Sequence, residues 1–533
     1  MRGAGGVLCA VLLAGASLAT WGCAEATTKV EPPSRPPNIL LVIADDVGVD
    51  QISAYGVDDS ARTPTVDALA ADGVRFTRVW ANPVCSSTRA TILTGRYGFR
   101  TGVGFVARRG EDLRLNEVTL AQLLSRHPRT PYGTAAFGKW HLTSGRVSDG
   151  RSDVLAAPVL AGFSFFRGVF KNITDSYTQW RAITVREVAP RQIEVDGELD
   201  TTYNTTAVVD DAARWIHDFE AQFPDRPWFV WLAFNAAHAP FHKPPSHLHG
   251  RSLDDPDLPC RNPPPFDRPQ DVRACYQAMI EAMDTELGRL LERELSPASR
   301  ARTSVLFVGD NGSVKGASTD TRLLGKLKGT PYEGGVNVPL VISGAGVDAQ
   351  ATAASDALVN TTDLFATILE LAGLDVAAHV PAVLPSPTFE PDEDGGPLVL
   401  DSTSLLPALR GDTRNTPQTS RSFTYAELFK RGASDPRWPT AKTIRDTDDY
   451  KLIRFTDPGP GQGREEFYHL PSDPREERNL LGLDLDADLA ARHAALRAHL
   501  DAVESTGWRP HGPPLSSEVP TEGSRAGRKG PLP

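Results

Sequence analysis

Apolar positions come in two patterns along this chain. Asn38–Ala44 and Thr303–Gly309 are nearly unbroken apolar runs, as strands buried on both faces of a parallel sheet require. Trp228–Phe234, Val338–Ile342 and Tyr132–Phe137 read as further strands, and Val74–Phe76 as a short one. Between them the period turns helical. Thr63–Gly73 reads as a capped helix and a turn, Thr119–Leu124 as a helix, and Val208–Phe219 as an amphipathic helix. Tyr276, Met279, Ile280, Met283, Leu287, Leu290 and Leu291 recur at helical spacing, with the methionines as core filler, and Asp363–Ala372 is another helix. Strands alternating with helices predict an α/β fold. Pro- and Asp-rich residues 246–270 predict a loop over the site, and Val380–Pro397 a linker or insertion. Beyond it the character changes: short strands at Phe423–Ala426 and Tyr450–Phe455, turns, then a helix over Asp486–Val503.

The N-terminus is of another kind. Arg2 followed by the apolar run Val7–Ala19 predicts an export signal over residues 1–23. That run is too short to remain as a membrane-spanning helix. It ends Ala19-Thr20-Trp21-Gly22-Cys23, similar to a bacterial lipoprotein cleavage site, with Cys23 as the lipidated residue. The expected product is exported, as a periplasmic or outer-membrane lipoprotein or else as a secreted protein, and membrane contact is expected only through that anchor. Residues 24–37 form a polar, Pro-rich tether. The expected segments are then 38–379 (catalytic), 380–400 (linker), 401–508 (C-terminal subdomain) and 509–533 (tail).

A length of 533 residues exceeds one ordinary domain, and a net charge of −11 argues against a nucleic-acid partner. Of the five cysteines, Cys9 leaves with the signal, Cys23 is the lipid candidate and Cys85 lies in a motif described below. Cys260 and Cys275 remain as an even pair, expected to form a disulfide in an oxidising compartment; two buried thiols are the alternative.

Chemistry gathers where the apolar runs stop. Asn38–Ala44 ends in Asp45-Asp46, and Thr303–Gly309 ends in Asp310-Asn311-Gly312. Open α/β sheets place their sites at the carboxyl ends of such strands, although Asp pairs also cap helices. Three carboxylates and an amide are hard oxygen ligands, suited to Ca²⁺ or Mg²⁺ and not to zinc; Ca²⁺ fits better because these ligands fill most of its shell. Asn82–Arg96 reads as a loop entering a helix. Cys85 stands just ahead of that helix, Ser86, Ser87 and Thr88 are candidate caps, and Arg89 lies about one turn on. A helix N-terminus favours an anion, and a cysteine there is ordinarily read as a low-pKa nucleophile. Lys139 and His141, two apart, share a face of an extended segment. His238 follows the Trp228–Phe234 strand in a loop and is a catalytic candidate, with a backbone-bonded histidine as the alternative. His242 and His247 read as surface residues. Tyr177, Trp180 and Tyr203 are candidates for a sugar-binding cleft or for packing.

Five separated strings carry a resemblance. Cys85-Ser86-Ser87-Thr88-Arg89 with Thr94-Gly95-Arg96 resembles the sulfatase signature, Cys-x-Pro-Ser/Ala-Arg followed by Thr-Gly-Arg. Ser87 stands where the family has Pro or Ala, and Thr88 is a milder departure. Gly138-Lys139-Trp140-His141-Leu142, His238-Ala239-Pro240, the two Asp-bearing strand ends, and Lys328-Gly329-Thr330-Pro331-Tyr332-Glu333-Gly334-Gly335 also match, in family order. The chain thus resembles the formylglycine-dependent, arylsulfatase-like sulfatases of the alkaline phosphatase superfamily over about residues 38–505. The resemblance implies a large mixed, mostly parallel sheet sandwiched by helices, with a smaller C-terminal antiparallel-sheet subdomain. It implies that a formylglycine-generating enzyme converts Cys85, and that one Ca²⁺ is bound by Asp45, Asp46, Asp310, Asn311 and the converted residue. It further implies that Lys139 and Lys328 face the sulfate, with Arg89 holding the diol. His238 would serve the leaving alcohol and His141 would act as the base. The substrate would be a sulfated small molecule or glycan. A phosphomonoester or phosphonate hydrolase, and an inactive glycan-binding lipoprotein, are the competing readings.

Overall fold

The computed structural model describes residues 35–506, apart from 108–111, 115, 144–154, 174–175, 190–191, 254–259, 261–269, 317–322, 324, 349–352, 385–396, 412–420, 430–438 and 457–462. The export signal, Cys23, most of the tether and the tail lie outside the described residues, as do much of the 246–270 loop and of the 380–400 linker.

Ten strands form one sheet. They are β1 (Asn38–Ala44), β2 (Gly73–Trp80), β3 (Gly133–Lys139), β4 (Phe165–Val169), β5 (Trp180–Ala189), β6 (Gln192–Asp200), β7 (Trp228–Ala233), β8 (Thr303–Gly309), β9 (Leu340–Gly344) and β10 (Ala354–Asn360). The spatial order is β10-β2-β9-β8-β1-β7-β3-β4-β5-β6. The central run β8-β1-β7-β3-β4 is parallel throughout, and antiparallel pairings enter on both sides of it. Every residue of β1, β3, β7 and β8 is buried, which is why those sequences are apolar without alternation. One core lies on each face. One contains Ile39, Leu41, Phe163 and Phe365; the other contains Leu40, Val42, Met279 and Leu287. The first is covered in part by α1 (Cys85–Thr94) and α2 (Asp363–Leu371), which touch each other. The mixed, mostly parallel sheet between helices is therefore the observed fold.

Several elements differ from the sequence reading. β2 runs on to Trp80, well past Phe76. β4, β5, β6 and β10 were not expected. β6 lies at the sheet edge, and none of its residues is fully buried, so an apolar signal is missing. The helix bearing Tyr276 starts at Gln270 and ends in a π turn over Leu290–Glu294. Cys275 on this helix is joined to Cys260 by a disulfide.

The C-terminal part is a four-stranded antiparallel sheet in sequence order: β11 (Phe423–Phe429), β12 (Pro439–Asp446), β13 (Tyr450–Phe455) and β14 (Arg464–His469). The helix Ala487–Ser505, capped by Asp486, closes it through Leu496, Leu500 and Val503. The small sheet is not a separate body, because Tyr97 and Phe99, just beyond α1, sit in its core. Asn82 Oδ1 also accepts from Glu427 N at 3.2 Å, which ties β11 to the loop before Cys85.

Candidate active site

Four parallel strands deliver the site. Ala44 at the end of β1 pairs in register with Gly309 at the end of β8, so Asp45-Asp46 and Asp310-Asn311 leave the sheet side by side. β3 ends at Lys139, and β7 leads into the loop holding His238. Asp310 N donates to Ala44 O at 3.0 Å, and Asp46 N to Asp310 Oδ1 at 3.0 Å.

Asp46 sits at φ 64°, in the left-handed region that costs an ordinary residue roughly 1–2 kcal/mol. Three contacts hold it there. Besides the bond to Asp310, Asn311 Nδ2 donates to Asp46 Oδ1 at 2.9 Å, and Tyr276 Oη donates to Asp46 O at 2.5 Å. Tyr276 had been read only as a core position on its helix.

Cys85 is the first residue of α1, and Val84 precedes it as an uncapped N-cap. None of the three hydroxyls caps the helix from that N-cap position. Ser87 Oγ donates to Val84 O at 2.8 Å, and Thr88 Oγ1 accepts from Asn82 N at 3.0 Å, so both brace the loop. The Cys85 thiol is fully buried, and burial pushes its pKa up even though Lys139 pulls it down. The low-pKa nucleophile expected at a helix N-terminus is thus not what the site builds. Cys85 Sγ lies 3.2 Å from His141 Nδ1.

The cations are interleaved with the carboxylates. Arg89 donates from Nε and Nη2 to Asp310 Oδ2 at 3.0 and 2.8 Å and from Nη1 to Lys139 O at 2.6 Å. Lys139 pairs with Asp45, and Lys328 with Asp46. Lys326 points elsewhere, to the carbonyls of Arg475 and Glu476. Lys139 and His141 do not share the face of a strand. β3 stops at Lys139, and His141 has φ 56°; both side chains still reach the same point. His238 Nε2 is 3.9 Å from Asp46 Oδ2, and its Nδ1 meets Ala239 O at 2.7 Å. Burial and then Lys328 lower His238 to about 3, and burial with Lys139 lowers His141 well below its ordinary value. Both imidazoles are neutral at neutral pH.

Tyr177, Trp180 and Tyr203 are packing residues, not a cleft lining. All three are buried, and Tyr177 Oη shares its proton between Asn235 O at 2.6 Å and His238 O at 2.7 Å. His242 is not a plain surface residue: its ring lies 4.4 Å from that of Tyr177 and its Nε2 is 3.1 Å from Tyr203 Oη. His247 is exposed as expected.

Two buried oxygens, Asp45 Oδ1 and Asn311 Oδ1, have no hydrogen-bond partner among the described residues. Asp45, Cys85 and Asp310 each bring a ligand atom within 4.8 Å of the others. Burial raises Asp310 to about 6, with Asp45 adding to it, and burial likewise raises Asp45. Unpartnered hard oxygens among crowded carboxyls fit an oxygen-loving divalent cation.

The sulfatase family model matches residues 37–374. Human arylsulfatase A is 28% identical over 515 residues, covering 89% of this chain and 90% of that protein. The ulvan-active sulfatase of Formosa agariphila is 26% identical, covering 89% and 84%. A sulfatase structure from Pseudoalteromonas sp. shares the fold at a TM-score of 0.64 and 20% identity, covering 90% of this chain and 92% of that one. The matched stretch is more than half of the chain and contains every strand end that bears the reactive side chains, so the protein belongs to the sulfatase family and is a sulfuric ester hydrolase.

Proposed function

We propose that the enzyme hydrolyses sulfate monoesters of aryl or carbohydrate alcohols, with Cys85 converted to formylglycine and one Ca²⁺ held by Asp45, Asp46, Asp310 and Asn311. The observation that carries this reading is the pair of unpartnered oxygens beside a thiol that burial disarms. When present, the ion supplies Lewis acidity and positive charge, and the hydrated aldehyde supplies an oxygen nucleophile. The rest falls to side chains of this chain. Lys139 and Lys328 pair with carboxylates here and are the two lysines beside residue 85; both can face sulfate oxygens. His238 is neutral beside Lys328, and a sulfate opposite it raises its proton affinity. It then has a proton to give to the leaving alcohol. His141, also neutral, is the base for a proton at position 85. Arg89 keeps Asp310 and the Lys139 carbonyl in register. Its partners support an orienting role in place of a direct grip on the diol.

Maturation by a formylglycine-generating enzyme, export through residues 1–23 and lipidation at Cys23 belong to the same proposal. The site reading is tested by a paired assay on 4-nitrophenyl sulfate and 4-nitrophenyl phosphate, with the state of residue 85 read by peptide mass spectrometry. Faster turnover of the sulfate by aldehyde-bearing protein is expected. A clear preference for phosphate, or full activity with an unmodified thiol, overturns the reading.

A further inference from the structure

Lys328 lies on a strap, Lys326–Glu333, whose two ends are fastened to one residue of the C-terminal subdomain. At the near end, Lys326 Nζ donates to the carbonyl of Glu476 and, at 2.8 Å, to that of Arg475. At the far end, Glu333 N donates to Glu476 Oε2 at 2.7 Å. The other carboxylate oxygen of Glu476 pairs with Lys451 Nζ at 2.8 Å. Lys451, fully buried on β13, also pairs with Glu333 Oε1 at 3.0 Å and lies over the Trp80 ring at 4.8 Å. Arg445 on β12 stands 3.7 Å from Glu333 Oε2. Between the fastenings, Lys328 N donates to Ser313 O at 3.0 Å and Gly329 N to Pro83 O at 2.9 Å, two residues before Cys85. Glu476 itself has φ 55°, where glycine is the residue without strain, and yet a charged side chain stands there.

We propose that Glu476 is a positioning residue that staples both ends of the Lys326–Glu333 strap and so holds Lys328 toward the substrate. Glu476 has no role in the chemistry; it acts through Lys328. This rests on the reading of Lys328 as a sulfate-facing cation. The C-terminal subdomain thereby takes part in substrate recognition without contributing a group to it.

The test is Glu476→Gly, which removes the carboxylate while relieving the left-handed backbone, so the fold has no reason to fail. Lys326→Met is the second variant; it removes the other fastening at a half-buried position and keeps the apolar stem. Hydrogen exchange by mass spectrometry on the full chain should show lost protection at Lys328 and Gly329 in both variants, with the peptide covering β8 unchanged. With 4-nitrophenyl sulfate, KM should rise about tenfold with a smaller change in kcat. In a Lys328→Ala background the same substitution should add little, because its effect runs through that lysine. Unchanged exchange in both variants overturns the staple. Lost protection with unchanged KM, or an equal effect with and without Lys328, overturns the positioning role. If the aldehyde-bearing parent protein fails to hydrolyse sulfate esters, the site reading falls and with it the link to substrate, while the exchange result still decides the staple.

Discussion

The molecule holds two buried clusters of opposite charges, and they are built differently. In one, Asp45, Asp46 and Asp310 meet Arg89, Lys139 and Lys328. In the other, Glu333 and Glu476 meet Lys451 and Arg445. Burying charge is costly in both, and pairing offsets the cost. In the second, the pairing closes on itself around Lys451. The first keeps Asp45 Oδ1 and Asn311 Oδ1 unpartnered and adds two neutral histidines and a thiol. A closed cluster joins two parts of a fold. An open one of similar composition is a place for something else to bind.

This contrast can be broken by experiment. Asp310→Ala strips a ligand and leaves Arg89 buried without its partner; bound metal should be lost and kcat/KM should fall roughly 10³-fold or more. Elemental analysis showing full metal content in this variant would sink the open-site reading. Lys451→Met strikes the closed cluster and leaves two buried carboxylates uncompensated; it should cost about 3–5 kcal/mol in urea unfolding with metal content unchanged. A loss of metal there would mean that the clusters are not separate in kind.

A third buried carboxyl sharpens the comparison through pH. Burial raises Glu427 to about 7, although Tyr425 Oη and Phe99 N both donate to it. A folded pKa raised above the unfolded value stabilises below pH 4.5, and that contribution is lost as pH rises through 7. The swing is on the order of 3 kcal/mol. Glu427→Gln keeps the shape and should flatten the fall in melting temperature between pH 5 and 8; an unaltered slope refutes the assignment. The smallest effect is expected at Lys328, which is only partly buried. Lys328→Ala should raise KM for a sulfate ester about ten- to a hundredfold. It should leave the melting temperature in place, and a large stability loss would move Lys328 into the closed class.

Much of the open cluster was legible in the sequence, because each member follows an apolar run that could only be a buried strand. Asp45-Asp46 after β1 and Asp310-Asn311 after β8 needed no knowledge of the 264 residues between Asp46 and Asp310. The closed cluster was invisible. Glu333, Lys451 and Glu476 are ordinary charged residues in sequence, and only the docking of the small sheet brings them together. The same holds for Tyr276, whose helical spacing announces packing and conceals the bond to Asp46. Tyr177 was misjudged for a related reason, since an aromatic residue in a loop gives no sign of whether it faces solvent or braces a neighbouring backbone. β5 and β6 escaped notice because an edge hairpin carrying charges lacks the apolar signal that marked the central strands.

The burial of α1 has a consequence for how working molecules arise. Every residue from Cys85 to Thr94 is buried, and the loop ahead of it is tied to both sheets. An enzyme that oxidises Cys85 therefore has to reach it while the chain is still extended. Folding and oxidation are then competitors in time, and the loser is not offered a second turn. A batch of this protein becomes a fixed mixture of competent and sterile copies. Slowing synthesis or supplying more of the oxidising enzyme changes the proportion; treating the finished protein does not. The specific activity of a preparation thus records its upbringing, and titrating aldehyde per chain counts the molecules that were caught in time.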